Sequence, residues 1–390
     1  MKVLVINCGS SSIKYELFAM PEERSLADGQ LSPGGGDSRS AGFRHEDHAA
    51  GIARVLETLV EGEQPVLRNA TDIDAVGHRV VHSGCDPLVA EVVNDRVLET
   101  IRRGAELAPL HNPRNLAGIQ AARKALPEAT QVAVFDTGFF TTIPEHAFRY
   151  AVPESWYKDH HVRKYGFHGL SHQYVALRAT ELLRRRPEET NLITVHLGGG
   201  CSMTAVEAGR AVDHSMGMTP MEGLMMGTRS GDLDPGAILY MQRLGFSPEQ
   251  IDEALNFRSG LLAVSGATDD MRDVLAAAER GNRRAELAVD MFVYRVAKYI
   301  GAYYTVLPEV HAVVLTGGIG ENSREIRSRV VLAIDRLGAV FDSAANDAAV
   351  GGKAAPVTAE NSSLDVWVVP TNEELMIARQ TAGALSASRR

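Results

Sequence analysis

The stretch VLVINCGSSSIKYELF, residues 3–18, joins an apolar run to a Gly/Ser turn and then to a segment of alternating polarity. Ile13, Tyr15 and Leu17 alternate with polar residues, which is the period of a half-buried strand. The pattern therefore predicts a β-hairpin. Because its turn is built from glycine and serine, it exposes backbone N–H groups of the kind that bind phosphate.

The same layout recurs in the second half of the chain as ITVHLGGGCSMTAVE, residues 193–207. Three consecutive glycines after an apolar strand cost backbone entropy, which indicates a close approach by another group. A sharp bulge needed for packing is the alternative. Two such hairpins, one in each half, predict a nucleotide held between two related domains, and thus phosphoryl transfer.

The bulk composition narrows the class of protein. A chain of 390 residues is long enough for two or three domains, and its 45% hydrophobic and 23% charged residues are typical of a globular protein. The net charge of −9, without a long basic run, argues against nucleic acid as the main partner. No apolar stretch approaches the roughly 20 residues of a membrane span.

The cysteines indicate the compartment. The chain has 3 cysteines, widely spaced, which fits neither a disulfide framework nor a zinc site. Together with an apolar N-terminal run too short for a signal peptide, this predicts a cytoplasmic protein.

Hydrophobic periodicity predicts alternating strands and helices, so the expected class is α/β. The predicted strands are 3–6, 13–17, 75–82, 131–135, 312–315 and 364–369. The predicted helices are 52–60, 97–107, 115–126, 170–186, 248–256, 270–280, 284–306, 373–385 and a segment that ends near 337. Residues 28–44 and 214–236 are predicted to be loops. No Walker-type phosphate loop and no Rossmann glycine motif occurs.

Two segments near the C-terminal end are candidates for nucleotide and metal contacts. Gly317–Asn322 (GGIGEN) lies between a predicted strand and helix, where glycines let a ligand lie against the backbone. The alternative is a tight turn with Asn322 as a helix cap. Thr371–Glu374 (TNEE) fits a capping box, which leaves Glu373 available to act on a metal ion.

Two arginines are candidates for binding carboxylate or phosphate, because the guanidinium fork matches their oxygens. Arg79 lies in GHRVVH and Arg229 in GTRSGD, each among small or apolar residues. For Arg229 the alternative is a structural ion pair with Asp232 or Asp234.

Asp136 and His168 are candidate catalytic residues. Asp136 ends a predicted strand, a common position for a catalytic or metal-linked carboxylate, although an Asx turn explains it equally well. His168 is flanked by glycines in YGFHG, which suits approach to a ligand. A buried core histidine is the alternative.

Together these motifs resemble the acetate kinase family, within the superfamily of sugar kinases, heat-shock ATPases and actin. The resemblance covers nearly the whole chain. It rests on NCGSSSIKYEL (7–17), GHRVVHSG (77–84), APLHNP (108–113), VFDTGF (134–139), YGFHGLSH (165–172), VHLGGG (195–200), TPMEGLMMGTRSGDLDPG (219–236), LTGGIGEN (315–322) and PTNEEL (370–375).

The resemblance implies two related actin-like ATPase domains of the duplicated ribonuclease H-like type, with a nucleotide cleft between them. The expected N-terminal domain covers 1–145 and is joined by the C-terminal helix 372–390, and the nucleotide-binding domain covers 146–371. The implied reaction is reversible, Mg²⁺-dependent (or Mn²⁺-dependent) phosphoryl transfer between ATP and acetate. A homodimer is also implied.

The resemblance also implies roles for particular residues. Asp136, His168, Arg229 and Arg79 would be catalytic. Arg79 would bind the substrate carboxylate, and the pocket around the methyl group would be formed by Val81, Leu110, Phe167 and Pro220. Asn7 and Glu373 would lie near the metal. The nucleotide would be bound by Lys14, His196, Leu197, Gly198, Gly199, Gly200, Asp270, Met271, Arg272, Gly318, Ile319, Gly320, Glu321 and Asn322.

Two positions depart from the family pattern. Asn is expected where Gly199 stands, and Gly where Ser83 stands. The first departure removes one side-chain contact to phosphate.

In the expected mechanism the substrate carboxylate is the nucleophile and needs no general base, because its pKa of about 4–5 leaves it ionised at neutral pH. Asp136 would then position Mg²⁺ or an arginine. Positive charge from Arg79, Arg229, His168 and the metal would offset the repulsion between the two anions.

Two other functions remain open at this point. One is a kinase for propionate or butyrate. The other is a nucleotide-switched binding protein of the heat-shock ATPase or actin type.

Overall fold

The computed structural model describes residues 1–9, 12–32, 45–109 and 111–388. The chain forms two compact units, Met1–Thr141 with Asn372–Arg390, and Thr142–Thr371. We call them unit 1 and unit 2.

Unit 1 is built on a six-stranded mixed sheet. Its strands are β1 (Lys2–Cys8), β2 (Ile13–Ala19), β3 (Arg24–Leu31), β4 (Ala75–Val80), β5 (Ala90–Val92) and β6 (Thr130–Phe135). Their order is β3-β2-β1-β4-β6-β5. β1, β2 and β3 form an antiparallel meander, β4 and β6 run parallel to β1, and β5 closes the edge antiparallel to β6.

Three helices pack beside this sheet: α1 (His45–Glu61), α2 (Asp95–Arg103) and α3 (Asn112–Ala125). One core cluster joins apolar side chains of β1 and β2, such as Leu4 and Leu17, to Ile52 and Val55 of α1. Burial of such side chains contributes about 1.5–3 kcal/mol each. The alternating pattern of residues 13–17 is therefore the pattern of a strand with one face on the core.

Unit 2 repeats the sheet. Its strands are β7 (Leu192–Leu197), β8 (Cys201–Glu207), β9 (Arg210–His214), β10 (Ala312–Thr316), β11 (Ala355–Pro356) and β12 (Asp365–Val368). The order is β11-β12-β10-β7-β8-β9, with β7, β8 and β9 as an antiparallel meander and β10 and β12 parallel to β7. Strand for strand this is the topology of unit 1, so the two hairpins of the sequence occupy equivalent places in two related sheets.

The helices of unit 2 are α4 (Glu145–Phe148), α5 (Glu154–His160), α6 (Gly169–Leu182), α7 (Pro235–Arg243), α8 (Pro248–Phe257), α9 (Gly260–Ser265), α10 (Met271–Glu279), α11 (Arg283–Val306), α12 (Gly317–Asn322), α13 (Arg324–Ala333) and α14 (Ser343–Ala348). Among them, α11 and α12 contact strands of its sheet. Between β9 and α7 the chain has no regular element, as the glycine and methionine content predicted.

The last helix, α15 (Glu373–Ser388), returns to unit 1 and packs on β1 and β4. Gly77 of β4 permits this packing, since a Cβ there would lie 2.8 Å from Cγ2 of Ile377. The close approach holds Glu373, the first residue of the helix, in unit 1. No helix in the described ranges has the length and apolarity needed to cross a membrane.

Several local predictions were wrong. Asp28–Leu31, expected within a loop, extends β3, where it pairs with β2; residues 33–44 of that predicted loop lie outside the described residues. The predicted capping box is also absent, because Asn372 and not Thr371 accepts the hydrogen bond from the Leu375 N–H. Asn322 does not cap α13 either, since Ser323 takes that role.

Candidate active site

In unit 1 an arginine and two carboxylates form a cluster, Arg79–Asp136–Glu373. Nη2 of Arg79 donates to Oδ2 of Asp136 at 2.9 Å, and Nε of Arg79 lies 3.9 Å from Oε2 of Glu373. The fold brings them together, because β4 and β6 are parallel neighbours that pair Arg79 with Val134, two residues before Asp136. The cluster is thus built at the carboxyl ends of adjacent parallel strands.

Burial sets the charge states of this cluster. The Asp136 side chain is only 1% exposed and that of Arg79 is 21% exposed. Burial acts to lower the pKa of Arg79, but Asp136 and Glu373 outweigh it, so the pKa of the guanidinium lies above its ordinary value. Burial raises the pKa of the Glu373 carboxyl against the opposing effect of Arg79, and the nearby Asp136 carboxylate raises it further.

Arg79 has one donor atom that meets no acceptor in the part of the chain that the structure describes. Its Nε is buried and has no hydrogen-bond partner among the described residues. A buried guanidinium N–H without an acceptor is costly, about 1–3 kcal/mol. A ligand oxygen in that position would remove the cost.

The other predicted residues of unit 1 lie on or beside these strands. Asn7 ends the apolar part of β1 and pairs across the hairpin with Lys14 of β2. Val81 follows β4 and is buried, and Leu110 lies outside the described residues. Ser83 donates to the Asp86 carbonyl, so the hydroxyl at this departure from the family pattern has a local structural use.

In unit 2 a cavity of about 870 Å³ opens beside the triple glycine. Eight of the predicted nucleotide-binding residues line it: Gly198, Gly199, Asp270, Met271, Arg272, Gly318, Ile319 and Asn322. Three separate segments therefore meet at one cavity, which is large enough for a drug-sized ligand. We call it the glycine-lined cavity.

Other predicted residues of unit 2 are not among those that line this cavity. Leu197 and Gly320 are buried. The Glu321 side chain is hydrogen-bonded to the backbone, since its Oε1 accepts from the N–H groups of Gly317 and Thr371. His196 accepts or donates at Nδ1 with the Ser171 hydroxyl, 2.8 Å away.

Sequence reasoning missed several lining residues. They are Asp269, Leu275, Ser323, Arg324, Glu325 and Val350. Arg324, the first residue of α13 and directly after the glycine-rich α12, carried a usable signal, since a basic residue there can reach an anionic ligand. Asp269, Ser323 and Glu325 lie beside or close to the predicted segments, whereas Val350 comes from a distant part of the chain and Leu275 has the pattern of an ordinary helix position.

His168 and Arg229 lie beside Gly200. A Cβ on Gly200 would be 3.3 Å from Nε2 of His168 and 3.5 Å from Nη1 of Arg229. His168 itself has φ +59°, a left-handed conformation that is uncommon for a non-glycine residue and is often found at functional sites. A side chain at position 200 would therefore press on the His168 ring and touch Arg229, so both candidate catalytic side chains lie directly beside this glycine.

Arg229 forms no ion pair with the residues that the structure describes, contrary to the structural alternative. Its Nη1 donates to the Pro220 carbonyl at 3.0 Å, and within the described part of the chain no carboxylate pairs with it. Asp232 instead accepts from the Tyr299 hydroxyl, and Asp234 caps α7. Burial lowers the pKa of the Arg229 guanidinium. A half-buried cation that pairs with no described carboxylate is a suitable site for an anionic ligand.

The remaining two residues of the predicted methyl pocket are also in unit 2. The N–H of Phe167 donates to Nε2 of His214 at 3.1 Å, which fixes the backbone just before His168. Pro220 is held by its carbonyl to Arg229. Both are thus connected to the candidate catalytic pair.

Comparison with known proteins agrees with these motifs. The model of the acetokinase family matches residues 2–379. An acetate kinase of Symbiobacterium thermophilum is 48% identical over 98% of each chain. The crystal structure of Porphyromonas gingivalis acetate kinase is 43% identical, with a TM-score of 0.90 over 98% of this chain and 99% of that one.

A propionate kinase from Francisella tularensis subsp. tularensis SCHU S4 is also similar. It is 37% identical, with a TM-score of 0.88 over 98% of this chain and 99% of that one. The family model and the full-length similarity confirm the resemblance inferred from the motifs, so the chain belongs to the acetokinase family, whose fold is the actin-like ATPase fold.

Proposed function

We propose that the protein catalyses reversible Mg²⁺-dependent transfer of the γ-phosphoryl group of ATP to acetate, giving acetyl phosphate and ADP. Membership of the acetokinase family supports a phosphotransferase with a carboxyl acceptor. The single observation that carries the proposal is Arg229, a half-buried guanidinium with no carboxylate partner among the described residues, beside His168 and the triple glycine.

The acid is proposed to bind through Arg79. The unused Nε of this guanidinium can donate to a carboxylate oxygen, while Nη2 stays on Asp136. The methyl group is proposed to be enclosed by Val81, Leu110, Phe167 and Pro220. Val81 directly follows β4, the strand that carries Arg79.

The chemical step is in-line attack by an acetate oxygen on the γ-phosphorus. A bond forms between these two atoms, the bond from phosphorus to the β,γ-bridging oxygen breaks, and ADP leaves with that electron pair. Acetate is ionised at neutral pH, since carboxyl groups have a pKa of about 4–5, so no proton has to be removed. Asp136, which already accepts from Arg79, is accordingly a positioning group.

Arg229 and His168 are proposed to stabilise the transferring phosphoryl group. Its charge is spread over three equatorial oxygens in the transition state, and fixed donors in a partly water-excluded site stabilise such charge best. The glycine-lined cavity is proposed to hold the nucleotide, and His196, Leu197, Gly200, Gly320 and Glu321 are proposed to belong to the same nucleotide-binding site. Lys14 would act on the phosphates.

Magnesium, or manganese, is proposed to bind near Asn7 and Glu373. The donor set fits, because Mg²⁺ takes oxygen ligands and commonly only one or two protein carboxylates besides substrate phosphates. Within the described residues no group of three His, Cys, Asp or Glu side chains could hold a metal. Glu373 has its pKa raised by burial and by Asp136, so a nearby cation would favour its ionised form. When bound, the ion would neutralise charge on the phosphate oxygens.

A hydroxamate assay tests the proposal. Hydroxylamine traps acyl phosphate formed from ATP and acetate, so purified protein with Mg²⁺ should give acetohydroxamate, and protein without divalent cation should not. ATP hydrolysis without acetohydroxamate would instead favour the nucleotide-switched binding protein.

Propionate is the second candidate substrate, and the similarity to a propionate kinase favours keeping it. A tight methyl pocket should cost about 1–3 kcal/mol for each added methylene. We expect kcat/KM to fall in the order acetate, propionate, butyrate. A higher kcat/KM for propionate than for acetate would reassign the substrate.

The proposal includes a cytoplasmic homodimer that binds neither nucleic acid nor membrane. The net charge of −9 and the family membership support this. Light scattering of the purified protein should give twice the chain mass of 42.1 kDa. A mass of one chain would contradict the dimer.

A further inference from the structure

Four histidines of unit 2 form a compact group with buried hydroxyl side chains. We call His168, His172, His196 and His214 the histidine group. The rings of His168 and His196 are stacked with centroids 4.6 Å apart, and the ring of His172 lies 5.3 Å from that of His214. The hydroxyl groups bound to these rings determine which ring nitrogens carry protons.

Thr194 on β7 determines the tautomer of His172. Its side chain is 0% exposed, and among the described residues its hydroxyl has one hydrogen-bond partner, Nδ1 of His172 at 2.7 Å. If His172 donated from Nδ1, the hydroxyl proton of Thr194 would be buried without an acceptor, which costs about 1–3 kcal/mol. Thr194 is therefore the donor, and Nδ1 of His172 carries no proton.

Ser202 on β8 lies between His172 and His168, so the tautomer of His172 determines which way the Ser202 hydroxyl donates. With Nδ1 unprotonated, neutral His172 carries its proton on Nε2, which lies 2.8 Å from the Ser202 hydroxyl oxygen. Ser202 accepts that hydrogen bond. Its side chain is also 0% exposed, and its other partner in the described part of the chain is Nδ1 of His168, at 2.8 Å. The Ser202 proton therefore goes to His168.

The hydrogen bond from Ser202 determines the tautomer of His168. Because Nδ1 of His168 accepts from Ser202, the ring carries its single proton on Nε2. That nitrogen is the one near Gly200 and Arg229, as the distances to a Cβ on Gly200 show. His168 thus presents an N–H donor to the side where Arg229 presents its guanidinium.

A second chain of hydroxyls repeats the arrangement at His196. Thr371 donates to the Ser171 hydroxyl at 2.9 Å, so the Ser171 proton goes to Nδ1 of His196, 2.8 Å away. His196 is then also neutral, with its proton on Nε2. Two stacked rings at this distance repel each other when both are protonated, and both chains avoid that state.

The charged and titratable groups around His168 also disfavour its protonated, cationic form. Arg229 approaches from the loop before α7, and the His196 ring of β7 stacks on His168. His172 of α6 shares the Ser202 hydroxyl with His168, and His214 of β9 interacts with it electrostatically. A positive charge on His168 would meet the Arg229 cation. It would also require Ser202 to reverse its hydrogen bond, and the reversal would leave the Thr194 proton without an acceptor.

We propose that Thr194, His172 and Ser202 are positioning residues that hold His168 as the neutral Nε2–H tautomer. His168 then contributes to phosphoryl transfer as a hydrogen-bond donor and not as a cation, so the positive charge expected of it from the sequence is supplied by the arginines and the metal. The role in phosphoryl transfer rests on the proposed function, whereas the tautomer does not.

Nuclear magnetic resonance tests the tautomer directly. Protein labelled with ¹⁵N-histidine gives two-bond correlations that separate the two neutral tautomers from the imidazolium, and the His168→Gln spectrum identifies the His168 signals. We expect Nε2 protonated and Nδ1 unprotonated at pH values from about 6 to 8.5, around the ordinary histidine pKa. A protonated Nδ1 in the wild-type protein would overturn the proposal.

A matched pair of variants tests the positioning role. Thr194→Val removes the donor with little change in volume, and Thr194→Ser restores it. We expect Thr194→Val to give mixed His168 tautomers and a kcat lower by about two- to tenfold, the effect of one hydrogen bond, with KM for ATP and acetate unchanged. Thr194→Ser should restore both. Ser215→Ala, which removes another buried hydroxyl of unit 2, should change neither the tautomer nor kcat.

The results separate the two proposals. If the Nε2–H tautomer is found but His168→Gln retains wild-type kcat, the catalytic role of His168 fails and the tautomer stands. If kcat falls in His168→Gln but Thr194→Val leaves the His168 tautomer unmixed, the positioning role fails and the proposed function stands. The wild-type spectrum decides the tautomer even if a variant does not fold.

Discussion

Nη2 of Arg79 donates a hydrogen bond of 2.9 Å to Oδ2 of Asp136, a carboxylate that is only 1% exposed. Asp136 is thereby fixed by an arginine that still has an unused donor at Nε. This arrangement positions Arg79 for a substrate. It also makes Asp136 a positioning group and not a general base, since its carboxylate is buried and already accepts from Arg79.

Arg79→Ala should lower kcat/KM for acetate by about 10³-fold, since arginines that act on transferring phosphate or its acceptor have effects of this size. Arg79→Lys should recover part of the activity, because a lysine keeps the charge but loses the planar fork. Arg379→Ala is the control, since it also breaks an arginine–carboxylate pair of unit 1, with Glu23, and should stay near wild type. Wild-type kinetics in Arg79→Ala would remove Arg79 from the site.

Asp136→Asn should lower kcat and raise the Mg²⁺ concentration needed for half-maximal rate. The amide keeps the size of the side chain and can still accept from Arg79, but it lacks the negative charge. Rates measured against Mg²⁺ and against pH distinguish the roles. If the variant only shifts the alkaline limb of the pH profile, Asp136 is a general base and the positioning role is wrong.

Gly200→Ala and Gly199→Ala should have different kinetic effects. A methyl at position 200 would press on His168, at 3.2 Å from its Cε1 atom, so kcat should fall. A methyl at position 199 would meet no atom of the described residues within 4 Å, so the fold should be unaffected. Any change should appear in KM for ATP, because Gly199 lines the glycine-lined cavity. Equal effects of both variants on kcat would contradict the placement of His168.

The free energy of unfolding should fall as the pH is lowered from about 6.5 to 4, partly because of His78. Burial lowers the pKa of this histidine to about 4, although its hydrogen bond to Gln131 opposes the shift. In this range the unfolded chain binds a proton and the folded chain does not, so the stabilisation present above the unfolded pKa is lost on acidification. The contribution is roughly 1–3 kcal/mol.

Denaturant titrations of the wild type and of His78→Asn at several pH values measure this contribution. The variant should show a weaker dependence on pH, and His146→Asn, at an exposed position, should behave like the wild type. An unchanged dependence in His78→Asn would show that this histidine is not held neutral.

The sequence predicted the parts of the fold that follow from local periodicity. Both hairpins, the long helix α11 and the terminal helix were found within a few residues of their predicted bounds, and the α/β class is confirmed. β3 was missed because its Gly, Ser and Asp content is typical of a loop, and only pairing with β2 makes it a strand. α7 was missed because it follows a segment rich in glycine.

Contacts between residues that are distant in the sequence could not be predicted from local patterns. Arg79 and Asp136 were each predicted as candidates, but their hydrogen bond follows from the pairing of β4 with β6, which no local pattern reveals. Ser202 and Thr194 gave no signal at all, since a serine and a threonine on apolar strands look like ordinary core positions. Their significance comes from the imidazole rings that α6 places against them.

Phosphorus NMR of the product formed from ATP and ¹⁸O-labelled acetate tests the central claim, that a carboxylate oxygen of the substrate is the nucleophile and attacks phosphorus. The account predicts acetyl phosphate whose phosphorus is bonded to one ¹⁸O atom, the oxygen that bridges carbon and phosphorus, together with unlabelled ADP. Acetyl phosphate with only ¹⁶O on phosphorus, or release of inorganic phosphate alone, would contradict it.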